Sequence, residues 1–262
     1  MLNKRFDKLL FLNRKDFFSD KKISYIRNSV IDGNIVVLKS AFKKKMIRDL
    51  FKKIYKDSKR PQKNTKMLEG IKNIYYRSNS SGQGGYSTFD HNWYFFPWNS
   101  DKYGLVDMVQ KYFDRVILFN EYKIEKIKKN TPKDGIVQRF HLLYYPLKKG
   151  HISAHKDPTN ITKITCGIYI TSFKDDYDEG GFYALNKNNT KEFVDHKINS
   201  GDLILFYNGL VHGVEKTLLK ENTKKNKDKI NGRVFLNLSI LESHEYKDRQ
   251  FTRGLKLNDI KS

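Results

Sequence analysis

Apolar and polar positions change their period near the middle of the chain. In the first half, Gly33-Asn34-Ile35-Val36-Val37-Leu38 reads as a short strand, and Ser40 after it has the chemistry of a helix N-cap. Phe42, Met46, Ile47, Leu50, Phe51, Ile54 and Tyr55 then recur at helical spacing, with Lys43, Lys44, Lys45, Lys52, Lys53 and Lys56 on the other face. Lysines in the first turn oppose the helix dipole, so packing of the apolar stripe must hold this helix. A second helix is predicted over Asp101 to Asp114, with Leu105, Met108, Val109 and Tyr112 on one side. Between them, residues 78–88 form a Ser/Gly loop suited to a lid, and His91 to Trp98 is an aromatic cluster that suits a core or a pocket lining.

From about Gly135 the period shortens. Ile136–Tyr145, His151–His155, Lys163–Thr171, Gly181–Leu185, Leu203–Phe206, Val211–Glu215 and Arg233–Leu241 are short runs, rich in β-branched and aromatic residues and separated by Gly, Asn, Asp and Pro. Successive short strands without intervening helices predict an α+β chain with a mainly β core, either an antiparallel barrel or a two-sheet jelly roll. Lys220–Gly232 is almost purely polar and reads as an exposed insertion. Without a repeat or a linker, 1–262 reads as one domain: 1–134 supports a 135–245 core, and 246–262 is a tail.

Composition narrows the function classes. The 262 residues include 18 Phe and 16 Tyr, enough bulky side chain to offset the entropy of ordering the backbone. A single cysteine, Cys166, excludes internal disulfides, zinc ribbons and iron–sulfur clusters together. No apolar run reaches the roughly 18 residues of a membrane span, and Leu9-Leu10-Phe11-Leu12 is too short and too flanked by charge for a signal peptide. A soluble, cytoplasmic chain is expected. The net charge is +22, but Lys outnumbers Arg 40 to 11, and a lysine-heavy surface is weaker evidence for nucleic acid than an arginine-heavy one.

The informative segment is Gly150-His151-Ile152-Ser153-Ala154-His155-Lys156-Asp157-Pro158. If extended, it projects His155 and Asp157 from one face, so one imidazole and one carboxylate reach a common ion. A second imidazole, His212, follows 55 residues after Asp157, just past the apolar run Gly201-Asp202-Leu203-Ile204-Leu205-Phe206. Two His and one Asp make a facial triad, which leaves one face of an octahedral Fe(II) open. A helical zinc pair of His151 and His155 is opposed by Gly150 and Pro158 and lacks the general-base Glu, so His151 reads as structural. Asp176 to Gly181 mimics a calcium loop, but Lys187 stands where the bidentate Glu is required.

With His155-x-Asp157, the distal His212, the Glu179-Gly180-Gly181 turn, the Gly-Asp-Leu-Ile-Leu-Phe strand and Arg233 on a later strand, the sequence resembles the Fe(II)/2-oxoglutarate-dependent dioxygenases. The resemblance covers about residues 136–241. It implies a double-stranded β-helix (a cupin-like jelly roll) with flanking amino-terminal helices, iron on His155, Asp157 and His212, and 2-oxoglutarate and O2 as cosubstrates. It further implies that Arg233 meets the far carboxylate of 2-oxoglutarate with a two-pronged guanidinium. Lys220 is the rival for that carboxylate. Tyr145 stands where prolyl-hydroxylase-like members have a hydroxyl donor. The 21 residues from His212 to Arg233 exceed the usual spacing, and Phe235 replaces the Ser that some subgroups place two residues beyond the Arg.

The activity implied is hydroxylation of an unactivated C–H in a small molecule such as an amino acid or biosynthetic intermediate, with release of succinate and CO2 and no catalytic residue beyond the metal ligands. Peptidyl or prolyl hydroxylation is the alternative within the class. Outside it stand a non-catalytic cupin-like binding module and a basic nucleic-acid-binding protein; the nucleic-acid demethylases carry a second Arg where this chain has Ser239.

Overall fold

Four apolar residues, Leu9–Leu12, make a strand (β1) too short to stand alone, and they pair in parallel with Ile35–Leu38 (β2). Between them lie two helices, Arg14–Phe18 (α1) and Ile23–Ile31 (α2). The computed structural model describes residues 4–62, 70–80, 86–220, 229–250 and 252–255.

The lysine-faced helix is Lys44–Asp57 (α3), three residues later than the Ser40 cap predicts. Ser40 instead turns at φ +50° and gives its N–H to the Asp202 carboxylate at 2.8 Å, a long-range bond that a local cap cannot match. Ile47, Phe51 and Ile54 are buried as the stripe requires, whereas Met46 and Tyr55, also read into it, are exposed. Arg48, on the same helix, forks onto Asp176 at 2.6 and 2.8 Å, so the head of the calcium-like loop is spent on an ion pair. The second predicted helix runs Leu105–Phe119 (α4). Asp101 lies outside it, its carboxylate accepting the N–H groups of Leu105, Val106 and Asp107. At the other end Val116, Ile117 and Phe119 are fully buried and carry the helix beyond Asp114.

The remaining strands are Ile74–Ser80 (β3), Thr88–Phe95 (β4), Ile136–Pro146 (β5), His151–Lys156 (β6), Ile164–Tyr169 (β7), Glu179–Leu185 (β8), Lys191–Phe193 (β9), Leu203–Tyr207 (β10), His212–Leu218 (β11), Gly232–Glu242 (β12) and Arg253–Gly254 (β13). The Ser/Gly segment is the end of a hairpin: Ser78 to Ser80 pair with Asp90 to Thr88, and residues 81–85 of the expected lid lie outside the described residues. Of the polar insertion expected at Lys220–Gly232, residues 221–228 likewise lie outside them. The expected tail contributes β13, which pairs with β6.

Hydrogen bonding links the strands in the order β1-β2-β10-β7-β12-β5-β4-β6-β11-β8-β9, with β3 on β4 and β13 on β6. The fold is therefore mainly β, with α2, α3 and α4 packed on one side. Alternation sorts each central strand between two cores. Leu203, Leu205, Cys166, Ile168, Leu236 and Leu238 face the helices, while Ile204, Tyr169 and Phe235 face inward toward Phe182, Ala184 and Val214 of β8 and β11. Among the described residues no helix is long and apolar enough to cross a membrane.

Candidate metal centre and cosubstrate pocket

His155, near the end of β6, and His212, the first residue of β11, stand directly opposite each other in the antiparallel register. In each, Nδ1 lies 2.8 Å from the carbonyl two residues earlier, Ser153 and Leu210 respectively. Facing a carbonyl, Nδ1 must carry a proton, so in the neutral tautomer each Nε2 offers its lone pair to an ion. The rings are 4.3 Å apart. Asp157 follows β6 immediately, with its backbone N–H on Asn208 O at 3.0 Å. Its oxygens lie 3.9 Å from His155 Nε2 and 3.8 Å from His212 Nε2. One donor atom from each residue falls within a 4.8 Å set, spacing that suits one ion at about 2 Å from each.

Protonation fits the same use. Burial and the adjacent His155 draw His212 down to about 4, so it is a neutral imidazole at physiological pH. Burial works against the Asp157 carboxylate, yet the two imidazoles and the Thr252 hydroxyl, which donates to Oδ1 at 2.7 Å, outweigh it and hold its pKa below the ordinary carboxylate value. Two imidazole nitrogens and one carboxylate oxygen form the donor set for a borderline divalent metal with open positions, so the residues fit iron.

The three donors line a cavity of about 200 Å³. Arg233 and Tyr145 line it too, opposite each other in the β12–β5 register. Arg233 is 2% exposed and packs among the rings of Tyr145, Tyr169, Phe182 and Phe235. Sequence reasoning missed its ion-pair partner: Asp195 accepts Nε at 2.8 Å and Nη2 at 3.4 Å. Asp195 also accepts the hydroxyls of Tyr169 and Tyr177 and the N–H of Phe182. A side chain at Gly181, where φ is +102°, would meet that carboxylate at 2.3 Å, so the Gly-Gly turn makes room for it. The side edge of the guanidinium is thus committed to Asp195, which leaves the end formed by Nη1 and Nη2 outside that pair. Burial pushes the Tyr145 phenol far above its usual value, so it stays protonated and a donor.

Lys220 is exposed, outside the cavity wall, with its backbone N–H on Asp178. His151 ties Lys149 O to Ser87 Oγ, a structural role. Ser239 faces Arg139, which donates to its hydroxyl. A second cavity of about 220 Å³ shares Tyr86, Tyr94, Arg139, Asp157 and Asn237 with the first. Strand parity gives the one signal for the missed cavity residues: Arg139 and His141 alternate with Tyr145 on β5, and Thr88, Asp90 and Asn92 alternate along β4. Asp195, in the short 3-10 helix Val194–Lys197, has no such signal.

No family model matches this chain, and no curated protein matches it in sequence. Solved structures do. A Pseudomonas putida prolyl-4-hydroxylase aligns over 85% of this chain and 99% of its own at 11% identity, with a TM-score of 0.51. JOX2, solved in complex with 2OG, Fe and JA, aligns over 98% of this chain and 80% of its own at 12% identity, with a TM-score of 0.50. At such identity the likeness establishes the fold. It is the fold that this chain shares with the prolyl-4-hydroxylase and with JOX2.

Proposed function

We propose that the chain is an Fe(II)- and 2-oxoglutarate-dependent oxygenase, built as a double-stranded β-helix, that hydroxylates a C–H bond of a small molecule. The observation that carries this reading is the convergence of His155, Asp157 and His212 on one cavity that also holds Arg233 and Tyr145. His155 and His212 would hold the metal through Nε2 and Asp157 through a carboxylate oxygen. The Nη1 and Nη2 end of Arg233 would take the far carboxylate of 2-oxoglutarate, and the Tyr145 hydroxyl would donate to the same cosubstrate. Bound iron supplies oxidative decarboxylation: 2-oxoglutarate, O2 and R–H give succinate, CO2 and R–OH. The protein's own contribution is to hold the reacting carbon and exclude water within walls that include Phe182 and Phe206.

The test is anaerobic titration with Fe(II) and 2-oxoglutarate, followed by visible charge-transfer absorption. His155→Ala and Asp157→Ala each abolish that band and iron-dependent succinate formation while the protein remains folded by circular dichroism. Retention of both signals in either variant rejects the ligand assignment. A peptidyl proline is the second reading, supported by the fold shared with the P. putida prolyl-4-hydroxylase and by the second cavity, which gives room beyond the triad.

A further inference from the structure

Among the described residues, four aspartates outside the triad are buried. Three have a basic partner: Asp176 meets Arg48, Asp195 meets Arg233 and Asp202 meets Lys39. The fourth, Asp90, is 5% exposed and forms no ion pair with a Lys or Arg among the described residues. Its oxygens accept only neutral donors, the Thr88 hydroxyl at 2.7 Å and the Asn92 amide. The titratable groups linked to it electrostatically are the Tyr145 phenol and His151, whose two ring nitrogens are bonded to Lys149 O and Ser87 Oγ.

Asp90 sits in the wall of the triad cavity. It lies on the inner face of β4 with Thr88, Asn92 and Tyr94, while Trp93 and Phe95 of the same strand face the apolar core. A wall serving packing alone would be apolar on both faces. The carboxylate is also held in place. His141 bonds Asn92 Oδ1 at 2.7 Å, which turns the Asn92 amide nitrogen toward Asp90. Burial pushes Asp90 up to about 6, so it is mainly ionised at neutral pH despite the cost. Its hydrogen bonds come from neutral donors, and no Lys or Arg among the described residues forms an ion pair with it.

We propose that Asp90 receives a protonated amine of the substrate, making this an oxygenase for amine-bearing small molecules. A buried carboxylate without a counter-charge is unfavourable, and a ligand cation removes that penalty only when it binds. The proposal rests on the oxygenase reading of the triad.

The experiment uses the anaerobic Fe(II)–2-oxoglutarate complex of the full chain, titrated with free amino acids and diamines, each beside its fully N-acetylated form. Perturbation of the visible absorption reports occupancy. At least one amine perturbs the band and binds tenfold or more tightly than its acetylated partner, and Asp90→Asn brings that ratio close to one. Asp90→Ala gives the same collapse and serves if the Asn amide disturbs Thr88 or Asn92. Equal affinity for amine and amide, a ratio preserved in both variants, or no response to any amine overturns the proposal. If no band forms with Fe(II) and 2-oxoglutarate alone, the oxygenase reading itself has failed, and the two failures are told apart.

Discussion

Arg233 and Asp195 form a buried pair whose two members do different work. Removing Asp195 strands a guanidinium among four aromatic rings, and Asp195→Ala should cost about 3–5 kcal/mol of stability in denaturant titration. Asp195→Leu/Arg233→Met should be more stable than Asp195→Ala, because no buried charge is left unpaired. A double variant no more stable than the single would show that packing governs the site. Arg233→Met should weaken 2-oxoglutarate binding by tenfold or more, as loss of a charged hydrogen bond predicts; unchanged affinity would move the role elsewhere. Thr252 acts through Asp157. Thr252→Val removes the hydroxyl that fixes the carboxylate and should lower metal affinity about 10–100-fold in metal titration without changing the ligands themselves.

At the scale of elements, α4 shows how a helix can be legible while its ends are not. The periodicity of Leu105, Val109 and Tyr112 specifies the helix, but its start depends on a carboxylate three residues before the Gly104 cap. Asp101→Ala leaves those N–H groups without their acceptor and should cost about 1–2 kcal/mol in urea unfolding; a change below a few tenths would mean that water replaces the cap. The start of α3 was misplaced for the opposite reason. Ser40 has cap chemistry, but Asp202, far along the chain, claims its backbone N–H. β3 was masked by its Ser and Asn residues, which read as loop until paired with β4.

Over the whole molecule, buried histidines set the response to acid. Burial and Arg77 draw His91 down to about 4, and burial places His141 well below the ordinary 6.5. The unfolded chain takes up protons near pH 6.5 that these folded imidazoles refuse, so stability present above that pH is lost as pH falls toward 4. Asp90 runs the other way: its raised pKa penalises the fold as pH rises from about 4 through 6. With His212 adding to the histidine side in metal-free protein, the thermal midpoint should fall between pH 6.5 and 4, and His141→Gln should shallow the fall. A flat profile would contradict the burial of these rings. The sequence alone determined the strand-rich second half, the buried centre of the α3 stripe, and the candidate donors His155, Asp157 and His212, because side-chain period and ligand chemistry are local properties of the chain. Only the tertiary structure decided that His155 and His212 face each other across two strands, that Thr252 from the chain's end steadies Asp157, and that Asp195 holds Arg233. Those contacts join residues 38 to 95 positions apart, and a partner at that distance is chosen by how the sheet closes, which no local pattern encodes.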